Sequence, residues 1–305
     1  MLLAINGIAF FQARHTGNSY EIAGTVEPKT SGFSGGDITL IVISVLFEFI
    51  MLVMPLISVF RNAFSKGVGF YIEAITTGFV GSALKVTLLA TFIALIVNSF
   101  FGIVASWLMT RFKFKGKQVL GALIDIPFSV SPVIAGLAFI MMFGRLGWAF
   151  PILEKINAAL GTDIQIVFAL PGVVLATIFV TFPFVSREII PVLNAVGSDE
   201  EEAAAMMGAS GMTIFKQVTF PHIKWSLIYG MILCGARALG EFGAVNALSK
   251  TRGETFTLPL EIDALYLSGS ADSITAAFAV SSLLLTMAIV VLVLRNIFEK
   301  KDKEA

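Results

Sequence analysis

The chain has 305 residues, 56% hydrophobic and only 14% charged, with a mean hydropathy of +0.88. Soluble domains carry about 25% charged residues, so a fold surrounded by water would leave too much apolar surface uncovered, and lipid must solvate much of it. The 21 basic and 21 acidic residues balance to zero net charge, which argues against nucleic acid as a main partner. The single Cys234 excludes an internal disulfide and a zinc-ligand spacing.

The chain opens on an apolar stretch, residues 1–11, which ends before Arg14 and His15. It is too short to cross a hydrocarbon core of roughly 30 Å and lacks the basic start and cleavage site of a signal peptide. Residues 1–37 are therefore read as an interfacial or cytoplasmic lead-in. Six apolar stretches follow, near 38–60, 82–108, 119–142, 165–186, 225–248 and 274–297. At 1.5 Å per residue each can cross a bilayer, and because lipid cannot satisfy a bare backbone each should be a helix. The fold class is all-α: a polytopic membrane helix bundle of about six transmembrane helices. The alternating polarity of a membrane β-barrel is absent, as is the internal repeat of many secondary transporters.

Orientation follows from the basic loops. Residues 111–117, RFKFKGK, carry four positive charges and no acid, and the tail carries Arg295, Lys300, Lys301 and Lys303. Both belong in the cytoplasm by the positive-inside rule. Six spans then place both termini inside, in the plasma or inner membrane. The loop at 196–222 is cytoplasmic too, as is the tail at 298–305. Loops near 61–81, 143–164 and 249–273 face outside. Pro55, Pro127, Pro132, Pro171 and Pro183 interrupt spans, which is tolerated where neighbouring helices or a polar cavity take up freed carbonyls. Glu48 falls within the first span, where a carboxylate costs about 2.5–3.5 kcal/mol and should face the bundle or be protonated.

The loop at 196–222 reads VGSDEEEAAAMMGASGMTIFKQVTFPH. Ser198 is placed to cap a helix, and Asp199, Glu200, Glu201 and Glu202 suit the positive end of its dipole. Three alanines extend the helix and would let a partner approach closely. Gly208 and Gly211 end or bend it. A second short helix through Ile214, Phe215 and Val218 should lead to Pro221. By composition alone this is a capped linker between two spans.

The spacing Glu202-Ala203-Ala204, three residues, Gly208, nine residues, Val218, one residue, Phe220-Pro221 resembles the EAA loop of ABC importer permeases. Val218 and Phe220 stand where that family has Ile and Leu. The resemblance implies a type I importer (MetI-like) permease fold, with Glu202, Ala203, Ala204, Gly208, Val218 and Pro221 coupling the chain to a dimer of separate ATPase subunits. It extends to residues 124–133 (IDIPFSVSPV), 178–188 (IFVTFPFVSRE), 223–225 with 236–245 (ARALGEFGAV), and 257–260 (TLPL). Together these are similar to the CysW type of sulfate/thiosulfate permease, while residues 1–37 have no counterpart. Molybdate and tungstate permeases share the ARALGEFG run; residues 225–230 (WSLIYG) and the Thr181–Phe184 context favour sulfate. The resemblance further implies a second permease subunit, CysT-like or a second copy, and an extracytoplasmic sulfate-binding protein. No G-x-x-x-x-G-K-[ST] loop occurs, so the chain is expected to be non-catalytic and free of cofactors, with ATP and Mg on the partner ATPase.

Arg237 and Glu241 lie four apart in the fifth span and can pair on one helix face. They either fix packing or place a moderated positive charge on the path of a divalent anion. Asn98, Ser99, Ser129, Ser131, Thr177 and Thr181 are polar or small and either line a cavity or pack spans. Two other classes compete. An intramembrane enzyme lacks a membrane-depth carboxylate pair or a His-Glu-x-x-His motif, since His15 and His222 fall outside the spans. An ion-driven transporter has Glu48 as its one supporting residue.

Overall fold

The computed structural model describes residues 35–304, so the expected lead-in lies outside it except for 35–37. Among the described residues every regular element is helical. They fall into two units, one ending at Met54 and the other beginning at Pro55.

The first unit holds α1 (Gly35–Glu48) and a π turn (Phe49–Val53). Glu48 is the last residue of α1, directly before that turn, and it is exposed. Helix α2 (Met54–Ala63) lies in the second unit from Pro55 on, followed there by α3 (Gly67–Thr76) and the long α4 (Gly78–Arg111). Next come α5 (Lys117–Ser129), α6 (Pro132–Phe143), α7 (Phe150–Leu160), α8 (Leu170–Thr181) and α9 (Pro183–Val196). The remainder is α10 (Asp199–Met206), α11 (Gly211–Ile214), a second π turn (Phe215–Thr219), α12 (Phe220–Leu239), α13 (Gly243–Leu248), α14 (Leu258–Leu267) and α15 (Ala271–Glu304).

Four stretches are long and apolar enough to cross a membrane: Ile38–Ala63, Gly78–Arg111, Leu170–Val196 and Ala271–Ile297. They correspond to expected spans one, two, four and six. Span four starts later and runs further than the apolar pattern indicated. The third span, expected as one helix interrupted by Pro127 and Pro132, and the fifth, expected as one helix, both need correction. The third is broken into α5 and α6, whose axes differ by 111°. Pro132 opens α6, and the two residues before it are extended, Val130 at ψ 133° and Ser131 at ψ 132°. A residue preceding proline is pushed out of the helical region by the pyrrolidine ring, and here that restriction turns the chain. The fifth stops at Leu239, and Gly240–Phe242 separate it from α13.

The two breaks meet. A Cβ on Gly243 would lie 3.1 Å from the Pro132 side chain, and one on Gly136 would lie 2.5 Å from the Ala244 carbonyl. Only glycine permits α6 and α13 to approach so closely. A second close contact builds the core: Val185 of α9 sits between Gly102 of α4 and Gly230 of α12. A Cβ on Gly102 would come 2.8 Å from Val185 Cγ1, and one on Gly230 would come 3.0 Å from Val185 Cα. Buried Asn98 donates to Thr181 Oγ1 (2.8 Å) and to the Ile178 carbonyl (3.3 Å), tying α4 to α8. Thr177 is buried as well, bonding back to the Val173 carbonyl of its own helix (2.8 Å), so of the six polar candidates Asn98 and Thr181 join helices and Thr177 packs between them rather than lining a cavity. Ser129 and Ser131, in contrast, are exposed beside the α5–α6 break.

Contacts across the second unit sort its loops to two ends. At one end Arg252 lies over Phe79 (4.6 Å) and Lys66 pairs with Asp272. At the other, Arg111 meets Glu201, and Arg295 lies over Tyr229 (4.7 Å).

Candidate coupling site

The loop between α9 and α12 is a compact hairpin of short helices. Its first helix, α10, carries four acids in its opening turn. Ser198 does not cap it as expected. Its own backbone is near-helical (φ −111°, ψ −2°), which leaves the hydroxyl poorly aimed at the first amides, and it donates instead to Glu202 Oε1 (2.7 Å). The C-terminus of α10 is closed by backbone bonds from Gly208 N–H to the Ala205 carbonyl (2.9 Å) and from Ala209 N–H to the Ala204 carbonyl (3.1 Å). This is the Schellman pattern, which needs a left-handed residue, and Gly208 supplies it at φ +84°. Ser210 then caps α11, accepting from Thr213 N–H (3.3 Å). The following π turn precedes Pro221, the second residue of α12, and absorbs the register change that a proline without an N–H demands.

These residues do not share one environment. Ala204 is buried, whereas Glu202, Ala203, Gly208 and Pro221 are exposed and Val218 is half-buried. Met206, Met207 and Met212 flank the Gly208 turn and are 89%, 83% and 64% exposed. Methionine on an exposed tip offers an adaptable apolar contact for a partner surface.

What anchors the hairpin is a set of residues whose roles the sequence did not disclose. Arg111, the last residue of α4, donates from Nε to Glu201 Oε2 (2.7 Å) and from Nη2 to Oε1 (3.1 Å). Its Nη1 donates to the Leu193 carbonyl of α9 (3.0 Å). Thr219, in the second π turn, donates to the same Glu201 Oε1 (2.8 Å). The Arg111 and Glu201 side chains are only 10% and 15% exposed. One guanidinium and one carboxylate therefore join four segments: α4, α9, α10 and the second π turn that leads into α12. A bidentate pair of this kind fixes orientation as well as distance. Glu200 adds an outer contact to His222 (2.8 Å). Arg111 carries one of the positive charges used for orientation, and Glu201 one of four acids on a helix dipole. Their meeting across 90 residues leaves no local sequence signal.

Arg237 and Glu241 pair as expected, Nη1 to Oε2 at 2.6 Å. They do not share one helix face, because α12 ends at Leu239 and Glu241 lies in the break. Glu241 is 1% exposed and its Oε1 accepts from Ala244 N–H (2.9 Å), so it caps α13 while holding Arg237, which is 33% exposed.

Residues 98–303 match the family of binding-protein-dependent transport system inner membrane components. The chain belongs to that family. Within it the similarity is to the sulfate type of ABC permease. The chain is 41% identical over 295 residues, 96% of its length and 97% of the relative's, to the sulfate transport system permease protein CysW of Synechococcus elongatus. The fold agrees with that of solved ABC importers. A chain of a bacterial alginate ABC transporter, in complex with alginate pentasaccharide-bound periplasmic protein, superposes with a TM-score of 0.71 at 17% identity, covering 87% of this chain and 93% of that one. One from the MetNI methionine ABC transporter superposes with a TM-score of 0.51 at 17% identity, covering 75% of this chain and 96% of that one. The helical bundle thus has the fold of an ABC importer permease.

Proposed function

We propose that this chain is the permease through which sulfate or thiosulfate enters the cell, driven by ATP hydrolysis on a separate pair of ATPase subunits. The observation that carries the reading is the near-full-length similarity to a CysW permease, joined to a hairpin with an exposed methionine tip and a buried anchor. The tip, Met206 to Met212 around Gly208, seats in the ATPase. Movement of the ATPases displaces α10, and the Arg111–Glu201–Thr219 cluster passes that displacement to α4, α9 and α12 together. A rigid link of this type is what mechanical coupling requires, since a floppy loop would dissipate the stroke.

The basic loop at 112–116, the hairpin and the C-terminal end of α15 meet at one end of the unit, and this supports placing that end in the cytoplasm. A second permease, CysT-like or identical, completes the pathway, and an extracytoplasmic binding protein delivers the anion to the opposite end. ATP and Mg reside on the ATPases. Arg237, tethered by Glu241, offers a positive charge weakened by its neighbour, a suitable surface for an anion that must also leave.

The test is uptake of radiolabelled sulfate by proteoliposomes containing the assembled complex, with molybdate as competitor. Sulfate uptake that requires ATP and resists molybdate supports the proposal. Uptake of molybdate in preference to sulfate would move the chain to the molybdate and tungstate permeases. Uptake that follows an ion gradient without ATP would overturn the coupling reading.

A further inference from the structure

A second charged pair lies on the second unit, away from Arg237. Arg187 of α9 donates from Nε (3.0 Å) and Nη2 (2.9 Å) to Asp125 Oδ1 of α5. Its guanidinium also lies over the Phe128 ring, 4.3 Å from the centroid. Both side chains are half exposed, 52% for Arg187 and 50% for Asp125. A cavity of about 300 Å³ lies beside them, lined by Met109, Gly121, Ile124, Ile190 and Pro191 as well as the pair itself.

Depth makes this exposure informative. Asp125 is eight residues from the start of α5 at Lys117, and Arg187 is nine residues from the end of α9 at Val196. At 1.5 Å per residue both lie about 12–14 Å in from the hairpin end of their helices, which falls inside the hydrocarbon layer where those helix ends mark the membrane surface. A half-exposed ion pair at that depth does not face lipid, because membrane-depth charges turn toward the bundle interior or a water-filled route. The neighbouring Ser129 and Ser131 are exposed residues as well. The opposite side differs. There α4, α12 and α15 enclose a groove lined almost wholly by Leu, Ile, Val and Met, as a lipid-facing or helix-packing surface would be.

The geometry points to the α5–α9 face as part of the wall of the aqueous route, and we propose that Arg187 is a transient binding position for a divalent tetrahedral oxyanion on the hairpin side of the helix breaks. The inference rests on the sulfate-permease reading. Asp125 engages Nε and Nη2, which leaves the Nη1 amino group, without a hydrogen bond among the described residues, to meet the anion. The same carboxylate lowers the net charge the anion encounters, so the site holds it weakly enough to release it. Phe128 keeps the guanidinium plane in place from beneath.

The experiment uses the assembled complex in proteoliposomes. Cys234 is fully buried, so the wild-type chain serves as the unlabelled blank. Arg187→Cys and Asp125→Cys are each treated from the hairpin side with an anionic, membrane-impermeant thiosulfonate. Both should label, and sulfate should slow the labelling of Asp125→Cys, which retains the arginine, more than chloride at equal ionic strength does. Arg187→Gln should lower uptake about tenfold, the size of one lost hydrogen bond to a charged group, and Arg187→Lys should recover part of it. Labelling only by a lipid-soluble maleimide would place the face in lipid and overturn the inference. So would labelling that sulfate does not slow, or disulfide cross-linking of the cysteine to a second permease in every state. Wild-type uptake separates the two failures: absence of sulfate transport sinks the functional reading, while normal transport with unprotected labelling sinks only this site.

Discussion

Replacing Arg111 by alanine tests whether the hairpin is a rigid link or a passive connector. The substitution removes two bonds to Glu201 and one to the Leu193 carbonyl, and it leaves a carboxylate only 15% exposed with Thr219 as its one remaining donor in the cluster. Breaking a buried pair by deleting one partner costs 3–5 kcal/mol when the survivor stays buried. Here Glu201 can swing toward water at the hairpin surface, so about 3 kcal/mol is the fitting figure, roughly a hundredfold loss in the population that holds the latched geometry. The complex should still assemble, because the methionine tip is untouched. In proteoliposomes, sulfate uptake should fall far more than ATP hydrolysis, and the number of anions moved per ATP should drop. Glu201→Gln, which keeps the side chain's shape and an acceptor for Thr219, should give a milder form of the same split. Equal uptake and hydrolysis in the variant would refute the link. A parallel fall of both with loss of the ATPase from the purified complex would make Arg111 an assembly residue instead.

Three further outcomes are expected. Gly102→Ala places a Cβ 2.8 Å from Val185 Cγ1 and should destabilise the purified chain by about 1–3 kcal/mol in thermal unfolding, with Val185→Ala restoring part of the loss. Gly208→Ala forces a left-handed residue to carry a Cβ at φ +84°; it should cost about 1 kcal/mol and loosen the hairpin, visible as faster proteolysis between α10 and α11. In the loop joining α13 to α14, hydrogen bonds to the Glu261 carboxylate hold the Arg252 guanidinium above its ordinary pKa, so this arginine's contribution is fully present below its unfolded value and is lost only in stronger alkali. Titrating Arg252 therefore should give no change in thermal stability between neutral and moderately alkaline pH, and a stability step in that window that Arg252→Lys abolishes would contradict it.

Much of the bundle was legible because hydropathy reports which segments prefer lipid. It does not report where a segment bends. Spans three and five each read as one span, the third interrupted by Pro127 and Pro132, because Val130 and Phe242 are as apolar as their neighbours, although the backbone at both places leaves the helix. Pro132 was the visible clue to the first break, and Gly240 and Gly243 to the second. The hairpin was legible as a motif since its spacing lies within twenty residues. Its anchor was not, because Arg111 and Glu201 come together only after α4 and α9 have packed through Gly102 and Val185. Asn98, Thr177 and Thr181 could not be separated from Ser129 and Ser131 by residue type, because small polar side chains serve equally in helix interfaces and at water-filled walls.

The Arg237–Glu241 pair is where packing and transport readings can be pulled apart. Glu241 holds two bodies at once: its Oε2 meets Arg237 on α12, and its Oε1 accepts from the first turn of α13, which is pressed against α6 at Gly136. Glu241→Gln keeps the cap on Ala244 but removes the charge that moderates Arg237. If the pair serves only packing, this change and Arg237→Gln should both lower stability, by about 3 kcal/mol when a nearly buried carboxylate is left unpaired, with the anion affinity of uptake unchanged. If Arg237 meets the anion, the two changes separate. Glu241→Gln should tighten half-saturation by sulfate and slow turnover, since an unmoderated guanidinium retains the anion, whereas Arg237→Gln should weaken it. Concentration-dependent uptake by the assembled complex reads both quantities. Arg237→Gln with unchanged transport and unchanged assembly would remove both roles, since no buried carboxylate can lose its counter-ion without consequence unless the pair it formed was idle.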